Sequence, residues 1–243
     1  VCTDTRKLEP GCLFFALKGA NFDGHDFIGK AFELGASAAV VERSAGFGDR
    51  EILVHDTAAA LLQLAGWYRR RFDLRAAAVT GSVGKTTTKD MLADILSRRY
   101  KTLKNEGNQN NEIGLPATVF RLDATYEAAV FEMGMSALGE IERLSRTAAP
   151  SLAVITNIGV SHIETLGSKE NILKAKLEVT AGMSPDSALI VNLDDELLAG
   201  APCPGMNKIG FAVKNPLAAY RAAEVKKTQT GICFTALHPL GET

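Results

Sequence analysis

The sequence predicts an α/β protein in two parts: a small N-terminal α/β domain, and a central domain built on a doubly wound, mostly parallel sheet. The first observation is that apolar strand-like runs alternate with helical runs, the order that builds parallel sheets covered by helices. The second is size, because 243 residues, 46% of them hydrophobic, exceed what one small core needs. We therefore expect an N-terminal domain with its connecting helix over residues 1–72 and a central domain over residues 73–243.

The N-terminal domain is expected to contain three short strands and two helices. "CLFFALKG" predicts a strand that ends in a glycine turn, and "SAAVVE" and "EILV" predict two more strands. Between the first two strands, "DFIGKAFELGA" has apolar residues at helical spacing and stops at Gly35. "DTAAALLQLAGWYRRRF" then predicts a helix that begins at Asp56 and leads to the second domain.

The central domain repeats one pattern, in which an apolar strand is followed by polar residues and then by a helix. The strands are "RAAAVT", "EAAVFE", "SLAVIT" and "SALIVN". In a doubly wound sheet ligands bind outside the carboxyl ends of the strands, so we expect the polar residues that follow these strands to lie near one another. The last residues, "CFTALHPLGET", predict a hairpin.

Composition excludes several classes of protein. The formal net charge of −1 gives no general electrostatic surface for nucleic acid or for an anionic membrane. The four cysteines show neither a C-x-x-C pair nor metal-ligand spacing, which favours reduced thiols in a cytosolic protein. No apolar run approaches the ~18 residues of a membrane helix, and no signal peptide opens the chain. Both ends look cut, so we expect a piece of a longer protein. We also expect the protein to be cytoplasmic and to act as a monomer.

The segment "TGSVGKTT" predicts a phosphate-binding loop between the first central strand and the helix that follows it. Gly81 and Gly84 allow several backbone N–H groups to point at one anion at a helix N-terminus. Lys85 is placed to reach the outer phosphates, and Thr86 is placed to bind Mg²⁺. The usual G-x-x-x-x-G-K-[ST] pattern would need glycine where this chain has Val79. The simpler interpretation is a glycine turn followed by an ordinary helix. The three successive threonines at the start of the helix argue against it and favour a phosphate-binding loop.

Four other polar features lie after predicted strands or on nearby helices, and each has a simpler interpretation. Glu132 ends the strand "AVFE", where other phosphate-loop enzymes carry an acidic metal ligand, although strands ending in glutamate are common. His162 lies in a loop, where a lone histidine is more often solvated. Lys176 lies on the helix "SKENILKAKLEV", where a lysine is usually a solvated charge, as we expect for Lys174. The run "NEGNQNNEIGLP" is either a solvated turn or a loop whose amides contact a polar substrate.

Together these motifs resemble the Mur ligases, the ATP-dependent amino-acid and peptide ligases of peptidoglycan precursor synthesis. The compact "TGSVGKTTTK" is similar to this family's form of the phosphate loop, which accounts for Val79. Within the family the chain is most similar to the MurF type, which adds D-alanyl-D-alanine to UDP-N-acetylmuramoyl-tripeptide. The segments that carry this similarity, within residues 2–180, are "DTRKLEPGCLFFALKGANFDGHDFI", "GNQNNEIGLP", "FEMGMSALGEIERLSRTAAPSLAVITNIGVSHIETLGS" and "KAKLEV".

The resemblance implies roles for particular residues. The residues implied to hold the ATP phosphates are Gly81, Ser82, Val83, Gly84, Lys85, Thr86 and Thr87. Those implied to complete two magnesium sites are Thr86, Glu132, His162 and Lys176, and Lys85, Glu132, His162 and Lys176 are the implied catalytic residues. Lys176 matches a lysine that related ligases carry as a carbamate formed with CO₂, an anionic oxygen ligand of the kind Mg²⁺ prefers, with Lys174 as the alternative two residues away. The implied contacts to substrate are Thr5, Arg6 and Lys18 at the uridine-diphosphate end, and Asn108, Asn111 and Asn157 elsewhere.

The implied reaction is the formation of an amide through an acyl phosphate, with ATP as the phosphoryl donor. Family members are expected to have three domains, and this chain matches the first and most of the second. We therefore expect the C-terminal domain to be absent and the chain alone to be inactive. Other candidates are a MurE-type ligase that adds a single amino acid, and a folate polyglutamate synthase. A phosphate-loop switch or motor NTPase is more remote, as is a regulatory nucleotide-binding fragment.

Overall fold

The computed structural model of the protein describes residues 1–19, 21–229 and 231–242, and it contains two separate sheets. The first is a three-stranded parallel sheet with the order β1 (Leu13–Phe15), β2 (Ala38–Val41) and β3 (Glu51–Leu53). Helix α1 (Ile28–Glu33) joins β1 to β2, and helix α2 (Thr57–Arg69) follows β3. These are the three strands and two helices that the sequence predicts, each somewhat shorter than the motif that predicts it.

The second sheet has nine strands, in the order β12-β11-β10-β9-β8-β7-β4-β6-β5. Its parallel part comprises β4 (Arg75–Thr80), β5 (Thr102–Lys104), β6 (Ala128–Glu132), β7 (Leu152–Ile155), β8 (Ala188–Asn192), β9 (Asn207–Ala212) and β10 (Tyr220–Lys227). The antiparallel part adds β11 (Ile232–His238) and β12 (Gly241–Glu242), which form the predicted terminal hairpin. The fold is therefore α/β with mostly parallel sheets, as predicted. Strands β5, β9 and β10 are additions that the sequence patterns did not indicate.

Helices follow most of the parallel strands of the second sheet. They are α3 (Lys85–Leu96), α4 (Gly114–Val119), α5 (Glu140–Ala148), α6 (Ile163–Leu166), α7 (Lys169–Leu177) and α8 (Glu196–Gly200). Among the described residues, no helix is both long enough and apolar enough to cross a membrane.

Strand β4 has the position in the sheet that creates a ligand site. It lies between β6 and β7, so the chain leaves β4 toward one edge of the sheet, returns through β6, and then continues on the other side through β7. Such a reversal of strand order opens a crevice at the carboxyl ends of the strands. The central strands β4, β6 and β7 are largely buried; Val79, Phe131 and Ile155, for example, have no exposed surface. A rigid apolar sheet thus positions the loops that leave it.

The connecting helix α2 joins the two parts of the chain. It packs against α4 and α5, and the hydroxyl of Tyr68 donates to the carbonyl oxygen of Leu122 at 2.8 Å. Helix α2 ends at Arg69 and β4 begins at Arg75, which brackets the predicted boundary between residues 72 and 73. The boundary itself stays a prediction.

Candidate functional site

The loop between β4 and α3 has the backbone that a phosphate-binding loop needs. Gly81 has φ +143° and Gly84 has φ +86°, conformations that L side chains rarely adopt. A Cβ at Gly81 would also collide with Oγ1 of Thr156. Lys85 turns back over the loop, and its Nζ donates to the carbonyl oxygens of Gly81 (2.9 Å) and Ser82 (3.4 Å). The loop therefore places a cation beside a helix N-terminus, an arrangement suited to binding phosphate.

Residues that follow β7 hold the loop from the side. The amide of Asn157 accepts from the N–H of Val83 (3.0 Å) and donates to the carbonyl oxygen of the same residue (2.9 Å). Thr156 donates to that carbonyl oxygen at 2.6 Å, and the N–H of Gly159 donates to Oγ of Ser82 at 2.8 Å. The structure therefore gives Asn157 a part in positioning the phosphate loop. Its predicted contact with substrate stays a prediction.

Glu132 lies at the end of β6 with both carboxylate oxygens hydrogen-bonded. Its side chain is almost entirely buried. The hydroxyl of Thr86 donates to Oε2 at 2.8 Å, and Nδ2 of Asn110 donates to Oε1 at 2.9 Å. The two predicted metal ligands from α3 and β6 are thus direct neighbours, and they present a hydroxyl oxygen and a carboxylate, the ligand types that Mg²⁺ prefers.

Asn105, just after β5, fixes the backbone of Glu132, a role that the sequence did not indicate. Its amide is fully buried. Oδ1 accepts from the N–H of Glu132 (2.8 Å), while Nδ2 donates to the carbonyl oxygens of Glu132 (3.1 Å) and Gln109 (2.8 Å). The buried Lys89 of α3 donates to the carbonyl oxygen of Asn105 at 3.0 Å. The side chain of Asn105 therefore connects the end of β6 to the asparagine-rich loop, and its backbone carbonyl connects both to α3.

Lys176 lies in the interior at the end of α7, although it is a lysine. Only 2% of its surface is exposed, whereas Lys174 is exposed to solvent. Burial lowers the pKa of Lys176 to about 8, and the nearby charge of Lys85 lowers it as well. A buried amine with this pKa is uncharged in an appreciable fraction of molecules near neutral pH, which is the form that reacts with CO₂. The geometry therefore favours Lys176 over Lys174 as the candidate for carbamylation.

His162 adopts a left-handed backbone conformation, with φ +65°, at the start of α6. This conformation is uncommon outside glycine, although histidine is among the residues that adopt it more often. Such strained positions concentrate at functional sites, where the surrounding structure holds the side chain in one direction.

The predicted residues from four elements surround one cavity of about 280 Å³. Its lining residues are Gly81, Ser82, Lys85, Asn110, Asn111, Gly134, Met135, Ser136, Glu140, Ser161, His162 and Lys176. The structure thus brings Lys85, His162 and Lys176 together, with Thr86 and Glu132 beside them. Strand ends β4, β6 and β7 meet here, as the parallel-sheet prediction requires.

The remaining predicted residues near this cavity either lie outside its lining or have a second contact within the protein. Thr87 and Asn108 are exposed, and their predicted contacts stay predictions. Asn111 lines the cavity, but its Oδ1 also accepts from the N–H groups of Ile113 (3.2 Å) and Gly114 (2.9 Å), so it stabilises the start of α4. Part of the asparagine-rich run is therefore used to build the loop itself.

Among the residues of the site that sequence analysis did not single out are Asn105, Asn110 and Glu140. The two asparagines lie within the "NEGNQNNEIGLP" run, so the run was the correct signal and only the assignment within it was incomplete. Glu140 lies in "EMGMSALGEI", a segment quoted for its resemblance to the family and not for a role of this carboxylate. Only the fold shows that its side chain borders the same cavity as the phosphate loop.

The predicted metal ligands at this cavity include side chains with the oxygen donor atoms that Mg²⁺ prefers. Among the described residues no three His, Cys, Asp or Glu side chains form a metal-binding cluster. The predicted set contains only two residues of those types, Glu132 and His162, and relies for the rest on the hydroxyl of Thr86 and on Lys176. Thr86 and Glu132 suit Mg²⁺ as they stand, whereas Lys176 suits it only after the amine has become a carbamate.

A second cavity, of about 500 Å³, lies in the N-terminal part of the chain. The residues that line it are Thr3, Asp4, Thr5, Arg6, Phe14, Leu17, Phe22, Gly24 and Phe27. Thr5 and Arg6 were predicted for a uridine-diphosphate pocket, and the structure places both in this cavity. Lys18 is exposed and is not among its lining residues. The role of all three residues stays a prediction.

The "DGH" segment shapes the wall of this second cavity. A Cβ at Gly24 would lie 2.6 Å from the backbone nitrogen of Leu17, so only glycine fits there. The neighbouring His25 is buried; its Nδ1 lies 2.7 Å from Oδ1 of Asp23, and its Nε2 accepts from the N–H of Glu42 at 2.9 Å. These contacts attach the segment to the end of β2, which fixes the position of Gly24.

Comparison with known proteins gives matches over nearly the whole chain. The sequence profile described as "Mur ligase middle domain" matches residues 79–242, and the profile "Mur ligase family, catalytic domain" matches residues 1–69. The UDP-N-acetylmuramoyl-tripeptide--D-alanyl-D-alanine ligase of Bacillus subtilis (strain 168) is 47% identical over 238 residues, which cover 97% of this chain and 51% of the relative. The chain thus spans about half the length of this curated relative.

Two solved structures have nearly the same fold. MurF from Acinetobacter baumannii matches with a TM-score of 0.94 and 34% identity, over 100% of this chain and 53% of the other. The MurF ligase from Thermotoga maritima, in complex with ADP, matches with a TM-score of 0.92 and 30% identity, over 100% of this chain and 56% of the other. Both sheets described above therefore correspond to those of solved ligases.

Proposed function

The chain belongs to the Mur ligase family, and from this we propose that the full-length product of its gene joins D-alanyl-D-alanine to the terminal carboxylate of UDP-N-acetylmuramoyl-tripeptide, with ATP as the energy source. The observation that carries the proposal is the shared cavity at the carboxyl ends of the strands. The phosphate loop with Lys85 and the buried Lys176 line it, and the Thr86–Glu132 pair lies beside it. The name of the Bacillus subtilis relative supports the choice of substrates.

In the proposed reaction, the γ-phosphoryl group of ATP passes to the carboxylate, and the amine of the dipeptide then replaces phosphate. A carboxylate is a poor electrophile, and phosphorylation gives it the leaving group that it lacks. Both reactants in the first step are anions, so the protein must offset their repulsion. Lys85 supplies a positive charge directly beside the loop that holds the phosphates, and the backbone N–H groups at the start of α3 add partial positive charge.

Positioning is the second contribution of the chain. Gly81 and Gly84 set the curvature of the phosphate loop, and Asn157 and Thr156 keep it in place through Val83. Asn105 and Asn110 hold Glu132 through its backbone and side chain. Because these contacts form within the protein, the site loses little freedom when substrate binds, which favours an in-line arrangement of the reacting groups.

Magnesium and a carbamate complete the proposal. Thr86 and Glu132 would hold one Mg²⁺, and His162 with carbamylated Lys176 would contribute to a second. When bound, Mg²⁺ would neutralise phosphate charge and polarise the phosphoryl group. Lys176 lies in a buried site that lowers its pKa to about 8, and this supports formation of the carbamate from the uncharged amine. The cytoplasmic location stays a prediction from the cysteine pattern and the resemblance, and the monomeric state stays a prediction as well.

The experiment that tests the proposal measures phosphate release by the full-length protein. It is supplied with ATP, Mg²⁺ and UDP-N-acetylmuramoyl-tripeptide, with and without D-alanyl-D-alanine. We expect sustained release only when the dipeptide is present, together with UDP-N-acetylmuramoyl-pentapeptide as product. Release that depends on a different acceptor or a single amino acid would point to another ligase of the family. Release that depends on neither substrate would contradict the proposal and favour an NTPase.

A further inference from the structure

The cavity at the phosphate loop carries one acidic side chain, Glu140, among its described lining residues. The other ionisable groups of the lining are Lys85, His162 and Lys176, which suit anions or metal ligation. Glu132 lies close by, but both of its oxygens already accept hydrogen bonds. The proposed ligase reaction gives roles to Glu132, Lys85, His162 and Lys176. It gives none to Glu140.

We propose that Glu140 binds the ammonium group of the incoming amine substrate. This inference rests on the proposed function, in which two reactants are anionic at the reacting end and the third arrives as an ammonium ion. The phosphates and the carboxylate are matched by Lys85 and the helix N-terminus. An ammonium group needs the opposite partner, and Glu140 supplies the carboxylate at the edge of the cavity that contains the phosphate loop.

The side chain of Glu140 is anchored at one oxygen only. Its Oε2 accepts from the N–H of Ser136 at 2.7 Å, which holds the carboxylate against the loop before α5. Its Oε1 has no hydrogen-bond donor among the residues that the structure describes. Arg143, one turn further along α5, is paired with Glu112. An oxygen at the wall of a polar cavity is therefore available to a donor from outside the protein.

Glu140 is also not needed to complete the N-terminus of its own helix. The carboxylate of Glu178 already accepts from the N–H groups of Gly139 (2.8 and 2.9 Å) and Glu142 (3.3 Å) at the start of α5. Capping of α5 by an acidic side chain is thus provided from another segment. What Glu140 adds is a negative charge facing the cavity.

The test compares two nucleophiles in the full-length protein, both supplied with ATP, Mg²⁺ and UDP-N-acetylmuramoyl-tripeptide. D-alanyl-D-alanine presents an ammonium group, whereas hydroxylamine is uncharged near neutral pH and converts an acyl phosphate to a hydroxamate. In Glu140→Gln the amide oxygen can still accept from Ser136, but the charge is lost. We expect the KM for the dipeptide to rise about ten- to hundredfold, with hydroxamate formation changed less than about twofold.

The control is Glu142→Gln on the same helix. Its carboxylate pairs with Arg146 at 2.9 Å on the outer face and is not part of the cavity lining. We expect this variant to behave like the wild type with both nucleophiles.

Three results would overturn the assignment. If Glu140→Gln lowers both reactions equally, the residue only maintains the loop; if it changes neither, the ammonium group binds elsewhere. If the wild-type protein forms amide from the dipeptide yet Glu140→Gln alters kcat and not KM, the residue does not bind the amine. A wild-type protein that forms neither hydroxamate nor amide would instead contradict the proposed function, and the assignment would fall with it.

Discussion

The two cavities of this chain are built in opposite ways. At the phosphate loop several important groups are buried: Glu132 and Lys176 are 2% exposed, and Asn105 is fully buried. Glu132 and Asn105 are in addition held by several hydrogen bonds each. The N-terminal cavity is wider and largely apolar, and its main charged group is almost free in solvent. The side chain of Arg6 is 86% exposed, and its partner among the described residues is Asp4, at 2.7 Å.

This difference indicates a division between chemistry and recognition. A reacting centre gains from groups that are fixed before substrate arrives, because geometric errors of about 1 Å cost rate. A binding pocket can use apolar surface and mobile charges that order only on binding, at some cost in side-chain entropy. Substitutions of the groups that face the phosphates in the phosphate-loop cavity should therefore change kcat or the stability of the protein, whereas Glu140, at the edge of that cavity, is expected to act on KM for the dipeptide. Substitutions at the N-terminal cavity should change KM for the nucleotide-sugar.

The largest effect is expected for Lys85→Ala. The variant loses the cation that lies over the phosphate loop, so phosphoryl transfer should fall by roughly a thousandfold or more. The thermal unfolding temperature should change little, because the hydrogen bonds of Lys85 Nζ within the described part of the chain go to carbonyl oxygens of its own loop. The measurement is steady-state phosphate release by the full-length protein, with circular dichroism to follow unfolding. Wild-type-like turnover in the variant would contradict the assignment of the site.

Lys176→Met tests how much the buried lysine of the reacting centre lowers the free energy of unfolding. The pKa of Lys176 is about 8 in the folded protein, whereas an unburied lysine, as in the unfolded chain, has a pKa near 10.5. The unfolded state therefore binds more protons, and the wild type is penalised at every pH below 8. The penalty is lost as pH rises from 8 toward 10.5. At pH 7 and without CO₂, the free energy of unfolding of the variant should exceed that of the wild type by about 3 kcal/mol.

Denaturant unfolding at pH 7 and pH 10 in carbonate-free buffer measures this difference. The exposed Lys174→Met is the matched control on the same helix, and its stability should follow the wild type at both pH values. A gain in stability for Lys176→Met that is the same at both pH values would show that packing, and not buried charge, causes it. Adding CO₂ should stabilise the wild type alone if the carbamate forms.

The same contrast explains which features the sequence could predict. The phosphate loop was predictable because its glycines, Lys85 and Thr86 are adjacent in the chain and follow an apolar strand, so local pattern and local geometry coincide. Strands β9 and β10 were not predicted, because their burial is only partial and their sequences therefore lack the continuous apolar run that marks a buried strand. Local pattern is a weak guide where tertiary contacts decide the structure.

Within the site, the missed residues are those whose role depends on long-range contacts. Asn105 contacts Glu132, which is 27 positions away, and only the pairing of β5 with β6 makes the two neighbours. The amide of Asn157 holds Val83, 74 positions away, a contact that the sequence did not indicate, while its predicted contact with substrate stays a prediction. Polar side chains that follow parallel strands converge at one edge of the sheet, which the sequence can indicate. Which of them build the site, and which face the ligand, depends on the completed fold.

The smallest effect, and the one that separates the two cavities most sharply, is expected for Arg6→Ala. Because Arg6 is exposed and its partner Asp4 is a near neighbour in sequence, the stability of the protein should not change. If the cavity binds the uridine-diphosphate end, loss of this cation should raise KM for the nucleotide-sugar roughly tenfold and leave kcat unchanged. Lys7→Ala, an exposed cation next to Arg6 that does not line the cavity, is the control and should leave KM as it is. A fall in kcat for Arg6→Ala would mean that the N-terminal cavity also positions the reacting carboxylate, and the division between recognition and chemistry would no longer hold.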